Sequence, residues 1–241
     1  MTHLGPYELN RVHLGDCIEL MKALPDKSVD CVVTDPPYGL GNLFGRQQLK
    51  NGRQFANDGE QDYDTLIDLL IPELLRVCKD GAVICAFAAG GGGKAVALKF
   101  GIKLANSFRL WNEVVWNKRG IGLGSNYRYK WERVFVVTNG GDKLPFYDDS
   151  KTQANVIDSR KIIPDAESHT TEKPVNLMEL FIKNHSREGE LILDCFSGSG
   201  TTGVAAIQTG RNFLGFEIDK RWCDLANKRI EAAKAQTTLN I

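Results

Sequence analysis

Asp35-Pro36-Pro37-Tyr38 follows the apolar run VDCVVT, so a carboxylate, two rigid carbonyls and an aromatic ring arrive together at the end of a strand pattern. In open α/β sheets ligands bind beyond the carboxyl ends of strands, where this tetrapeptide would lie. The prolines hold the chain extended and carry no N–H, which leaves local carbonyls free to accept hydrogen bonds. Such a set suits the activation of an exocyclic amine. An amine such as adenine N6 offers two N–H donors, and its lone pair is delocalised into the ring. Asp35 and the Pro36 carbonyl can take both hydrogens and favour the tetrahedral nitrogen of attack, an electrostatic effect aimed at the transition state. Tyr38 offers a face for stacking, worth roughly 1–3 kcal/mol per base. The same four residues also read as a strand-ending turn, because Asp-Pro and Pro-Pro punctuate structure.

A second constellation is LILDCFSGSGTTG at 191–203, which contains the pattern G-x-G-x-x-G from Gly198 to Gly203. Asp194 closes its strand pattern, Phe196 to Gly200 form a turn in which glycines permit close backbone approach, and Glu217 ends the next apolar run. Taken alone this is a dinucleotide fingerprint. A nicotinamide enzyme would need two βαβαβ halves around it, whereas 38 residues follow Gly203. AGGGGKA at 89–95 hints at a phosphate loop but has Ala95 where Ser or Thr would hold magnesium, so a strand-to-helix turn fits it better. Asp16 follows the first strand pattern, where it can also serve simply as a helix cap.

TDPPY together with these blocks resembles the β class of DNA amino-methyltransferases, which use S-adenosylmethionine. LGDCIELMKALPDKSVDCVVTDPPYGLG at 14–41 is similar to their N-terminal block, and residues 169–230 are similar to their cofactor block. The catalytic motif precedes the glycine motif, the permuted order of that class. The resemblance implies Asp35, Pro36, Pro37 and Tyr38 as the catalytic set. It implies a cofactor pocket in which Phe196, Ser197, Gly198, Ser199 and Gly200 cradle the methionine moiety, with Thr201 and Thr202 near its carboxylate. Glu217 would take the ribose hydroxyls and Asp16 the adenine amine. Cys17, Ile218, Asp194, Asp35 and the Lys173-Pro174 element complete the pocket. The implied reaction is methylation of adenine N6 in double-stranded DNA after base flipping. N4-cytosine methylation is the alternative, and a catalytically silent DNA-binding subunit is an alternative of another class. No metal is expected, a homodimer is compatible with the family, and the target sequence and biological role stay open. The chain departs from the family at Cys195, where Pro is common, and at Thr170 and Glu172, where Pro and Gln are common.

The elements that must position these residues alternate. Seven segments read as strands: LNRVHL, VDCVVT, AVICAFA, RLWNEVVW, RVFVVT, LILDC and NFLGFE. Helix patterns lie at 17–24, 63–78, 93–99, 174–185, 201–208 and 219–235. The expected fold is therefore α/β: a Rossmann-like, seven-stranded, mostly parallel sheet with one antiparallel strand and helices on both faces. The whole chain reads as a single catalytic domain. It carries a long polar loop at 39–62, read as a lid or DNA contact, and a turn-rich stretch near 139–168, read as a small target-recognition insertion.

Composition sets the outer limits. Thirty basic and thirty acidic residues cancel, so net charge does not announce a polyanion partner. Locally, 39–57 carries Arg46, Lys50 and Arg53 without an acid, and 109–133 is rich in cations. Arg46, Lys50, Arg53, Lys118, Arg119, Arg128 and Lys130 are the candidate DNA contacts, although solvated surfaces carry such stretches as often. Six scattered cysteines show no zinc-ligand spacing and read as small buried hydrophobes in a reducing cytoplasm. Neither a signal peptide nor a membrane span is legible.

Overall fold

β-Branched runs separated by amphipathic stretches build one sheet in the computed structural model, which describes residues 2–38, 60–90, 96–120, 128–148, 150, 152–160 and 172–239. A two-stranded ribbon, β1 (His3–Leu4) and β2 (Tyr7–Glu8), precedes β3 (Arg11–Leu14), α1 (Cys17–Met21) and β4 (Val29–Thr34). Then come α2 (Glu60–Val77), β5 (Cys78–Ala88), α3 (Val96–Ser107), β6 (Arg109–Asn117) and β7 (Trp131–Thr138). The chain continues through β8 (Val156–Asp158), α4 (Val175–His185), β9 (Leu191–Asp194), α5 (Thr201–Gln208), β10 (Asn212–Glu217) and α6 (Lys220–Leu239).

The main sheet runs β3-β10-β9-β4-β5-β7-β6-β8. Every neighbouring pair is parallel except β5–β7 and β7–β6, so β7 alone is reversed. The expected architecture therefore stands with an eighth strand. The short β8 pairs with the end of β6 and lies inside the stretch read as an insertion. It escapes a sequence reading because three residues carry no measurable alternation.

Period-two alternation sorts the core into two layers. Val32, Ile84, Phe135, Val137, Leu193 and Leu214 face α1, α2 and α3, where Met21, Ile67, Leu70, Leu74 and Phe100 meet them. Cys31, Val33, Cys85, Phe87, Val134, Val136 and Ile192 face the other way, onto Leu177, Phe181, Ala205, Ala226 and Ile230 of α4, α5 and α6. All six cysteines are buried thiols. Cys195, at the position where the resembled family often has Pro, lies against the Met21 sulfur.

After β9 the chain crosses through α5 to β10, on one side. After β4 it crosses through α2 to β5, on the other. The adjacent carboxyl ends of β9 and β4 are thus a topological switch point, the place where such sheets open a ligand crevice.

Candidate active site

The glycine turn occupies the β9 side of this crevice. Gly198 has φ +49° and Gly200 φ +80°, left-handed values that suit glycine. A Cβ on Gly200 would stand 2.7 Å from Ala226 Cβ, and one on Gly203 2.6 Å from Ile230 Cδ1, so α5 lies tight against α6. The turn is tied to the sheet from several directions. Gly198 N–H donates to Glu217 Oε2 at 2.8 Å, while Asp219 N–H donates to Glu217 Oε1 at 2.9 Å. Each Glu217 oxygen keeps a second lone pair, and burial raises this carboxyl above its usual range. Leu14 and Ile218, 49% and 50% exposed, stand beside it at the ends of β3 and β10.

Asp194 faces inward. Its Oδ1 accepts from the Thr34 hydroxyl at 2.9 Å and from Phe196 N–H at 3.1 Å, which locks β9, β4 and the turn together. Burial pushes its carboxyl up to about 6, against hydrogen bonds from Thr202, Phe196 and Thr34. Ser197, Ser199, Thr201 and Thr202 are buried as well. Asp16 caps α1, its Oδ1 accepting from Ile18 N–H at 2.9 Å and Glu19 N–H at 3.2 Å, and Cys17 is buried beneath it. Arg229 of α6 donates to the Ser199 carbonyl and hydroxyl, both at 2.8 Å, and pairs with Glu172 at 2.7 Å. Glu172, which stands in place of the family's frequent Gln, thereby links the glycine turn to the segment carrying Lys173.

Asp35 lies just past β4. Tyr38 O–H donates to its Oδ1 at 2.7 Å, and the Lys173 ammonium, immediately before the Pro174 cap of α4, pairs with Oδ2. A second carboxylate completes the cluster: Glu132, near the start of β7. Its Oε2 lies 3.0 Å from the Tyr38 hydroxyl and 3.4 Å from Lys173 Nζ, and its Oε1 accepts from Lys118 Nζ at 3.0 Å. Burial opposes the charge of Lys173, yet Asp35 and Glu132 together hold its ammonium above the ordinary lysine range. Asp35 is raised by burial and by Glu132, against the pull of Lys173. Burial works against Glu132 too, but Lys173, Lys118 and the Tyr38 hydroxyl keep it below the usual carboxylate range. The Tyr38 ring, expected as a stacking face, also has Lys173 Nζ 5.5 Å from its centroid.

The reversal of β7 is what brings Glu132 here, because it delivers the strand's first residues to the end where the parallel strands finish. No motif flags Glu132 in the sequence. The available signal is a charge at 132 in phase with Val134 and Val136, hence aimed at the buried α4 side.

The expected DNA contacts divide. Lys118 is 14% exposed and engaged by Glu132, so it belongs to the cluster and not to an outward cationic face. Arg119 pairs with Asp158 at 2.8 Å, and Arg128 and Lys130 are exposed. Arg46, Lys50 and Arg53, with the long loop, lie outside the described residues. Among the described residues no group of acids, histidines and cysteines could hold a metal ion.

Similarity to known proteins agrees with this arrangement. The chain is 28% identical over 254 residues to the type II methyltransferase M.HinfI of Haemophilus influenzae, covering 94% of this chain and 69% of that protein. It is 26% identical over 264 residues to the DNA adenine methyltransferase YhdJ of Escherichia coli K12, covering 96% and 86%. Among solved structures, a putative DNA modification methylase of Thermus thermophilus complexed with S-adenosyl-L-methionine superposes with a TM-score of 0.69 at 22% identity, over 93% of this chain and 95% of that one. The PvuII cytosine-N4-specific DNA methyltransferase gives 0.70 at 15% identity, over 93% and 91%. The family model for DNA methylases of the N6/N4 type matches residues 29–228, and this chain belongs to that family.

Proposed function

We propose that the protein transfers a methyl group from S-adenosylmethionine to adenine N6 in double-stranded DNA. The observation that carries this reading is the placement of Asp35-Pro36-Pro37-Tyr38 at the end of β4, across the switch point from the glycine turn after β9. The residues present fit the cofactor. Glu217 retains lone pairs for two hydroxyls, and the exposed apolar faces of Leu14 and Ile218 beside it suit a purine. When bound, S-adenosylmethionine would supply a methyl group on a sulfonium: its S–C bond breaks as the N–C bond forms, a neutral thioether leaves without help from a metal, and the amine loses one proton.

The chain's own task is to prepare the amine. The Asp35 carboxylate and the Pro36 carbonyl accept its two N–H bonds, so the nitrogen lone pair turns out of conjugation. Such a pocket is reached only by a base taken out of the duplex, at a cost of a few kcal/mol. Asp before Pro-Pro-Tyr and the likeness to YhdJ favour adenine. The likeness to the PvuII enzyme supports N4-cytosine as the second reading. Work on DNA and six buried, unpaired thiols suit the cytoplasm, and no helix among the described residues is long and apolar enough to cross a membrane.

The test is tritium transfer from labelled cofactor to duplex DNA, followed by nucleoside analysis. Wild type should yield N6-methyladenine, and Asp35→Ala should lose at least about 100-fold in rate at saturating cofactor, the scale of removing one transition-state hydrogen bond. Undiminished transfer by Asp35→Ala would end the assignment of Asp35, and N4-methylcytosine as product would select the second reading.

A further inference from the structure

The cluster around Asp35 contains more than amine activation requires. The Tyr38 hydroxyl has one proton and two carboxylates within reach, Asp35 at 2.7 Å and Glu132 at 3.0 Å. The Lys173 ammonium likewise touches both. As arranged, both Asp35 oxygens already accept hydrogen bonds, one from Tyr38 and one from Lys173. Each oxygen keeps one more lone pair, so an incoming amine is a third donor that competes with Tyr38 and Lys173 for the same carboxylate and loosens their hold on it. The Lys173 side chain is 6% exposed, and an ammonium stripped of its partner at such depth costs several kcal/mol. A second carboxylate within a short shift removes that cost.

We propose, resting on the methyl-transfer reading, that Glu132 is a positioning residue that receives the Lys173 ammonium and the Tyr38 hydroxyl when the target amine takes Asp35. The movement needed is small: Lys173 Nζ stands 3.4 Å from Glu132 Oε2, and a charge-assisted bond forms at about 2.8 Å. Glu132 is fit to be the fixed member. It lies on β7, which is hydrogen-bonded to a neighbour along both edges, whereas Asp35 lies in the segment after β4. Lys118 holds Glu132's other oxygen, so two ammoniums balance two carboxylates before and after the exchange. No proton or ion has to enter.

The groups facing Asp35 define the test. They are Tyr38 on its own segment, Lys173 before α4, Glu132 on β7, Tyr63 on α2 and Asp194 on β9, with Lys118 acting through Glu132. Glu132→Gln keeps an acceptor for Tyr38 but cannot hold an ammonium. It should bind S-adenosylmethionine within about three-fold of wild type while kcat falls roughly 10- to 100-fold, the range for a lost hydrogen bond to a charged group. The acid limb of kcat/KM should also move to lower pH, because the charge that makes Asp35 harder to ionise is gone. Glu132→Asp should restore most of kcat and the wild-type limb.

A Glu132→Gln enzyme with kcat within about two-fold of wild type overturns the proposal. So does an equal loss in both variants with an unmoved acid limb, which would make Glu132 structural only. With Asp35→Ala inactive, either result removes the hand-over alone. Full activity of Asp35→Ala would remove the role of Asp35 and the hand-over with it, whereas absence of methyl transfer by the wild type would remove the methyl-transfer reading itself.

Discussion

At the scale of single residues, the crevice holds acids that burial treats very differently. Asp35 has a lysine within reach, whereas Asp194 meets only neutral donors, and its carboxyl is pushed up to about 6. A raised carboxyl binds protons in the folded state that the unfolded chain, near 3.9, has released. Asp194 therefore weakens the fold progressively as pH rises from about 4 through 6. Asp194→Asn removes this contribution and keeps an acceptor for Thr34 and Phe196. Its urea-unfolding free energy relative to wild type should improve by on the order of 2–3 kcal/mol between pH 4 and pH 6.5. A difference that stays flat with pH would show that Asp194 carries no such linkage. Individual residues were legible where a motif spoke for them, as with Asp35 and Glu217. Glu132 had no such motif, because its importance arises from the company it keeps across 94 positions of sequence to Tyr38. Lys118 was read by the sign of its charge, and sign alone does not tell a buried partner from a solvated one.

At the scale of elements, alternation and helical period identify the six helices and seven of the ten strands among the described residues, since each of these buries a continuous face; β1, β2 and β8, of two or three residues, show no pattern. The failures are physical. Leu69 and Leu75 are apolar residues within the 63–78 pattern, yet they fall off the stripe formed by Tyr63, Leu66, Ile67, Leu70, Ile71 and Leu74, and are 52% and 37% exposed. The helix of 93–99 is longer than its pattern, running from Val96 to Ser107. The glycine turn makes the strongest demand on packing. Gly200→Ala places a side chain at φ +80° and against Ala226, so it should cost about 2–5 kcal/mol in urea unfolding. Ala226→Gly opens the contact from the other side. Ala226 Cα stands 2.9 Å from the added Cβ and remains, so the double variant should be less destabilised than the sum of the singles by about 0.5–1 kcal/mol, and strict additivity would show that the Ala226 methyl carries none of the clash.

At the scale of the whole molecule, a neutral chain must meet a polyanion through local charge. Exposed cations beyond β6 and before β7 are candidates, and Lys118, although adjacent, is not one of them. Anisotropy titrations of non-specific duplex against salt separate the two kinds. Lys130→Ala should lower the log–log slope by about 0.9, the value for one phosphate contact. Lys118→Ala should leave the slope unchanged while lowering turnover, because its charge is spent on Glu132. The reverse pattern would place the DNA face elsewhere. The global topology was legible because motif order and strand alternation constrain a parallel sheet strongly. The reversal of β7 is legible because no convincing helix pattern separates the strand patterns at 109–116 and 133–138, which favours an antiparallel pair there, whereas β8 is too short to register.

The paired prolines after Asp35 carry a further consequence, for what the pocket refuses. Pro36 and Pro37 present no main-chain donor, Asp35 and Glu132 present only acceptors, and the nearby ammoniums are already neutralised. The donors that are present, the Tyr38 hydroxyl and the two ammoniums, are turned onto Asp35 and Glu132, so a group that brings its own N–H bonds would be the better match in the proposed reaction. A phosphate, which has none to give, would find neither a main-chain donor at the prolines nor a net positive charge, because two ammoniums balance two carboxylates. On the proposed reading, the same prolines that leave carbonyls open to an amine leave a DNA backbone without a matching donor at that point.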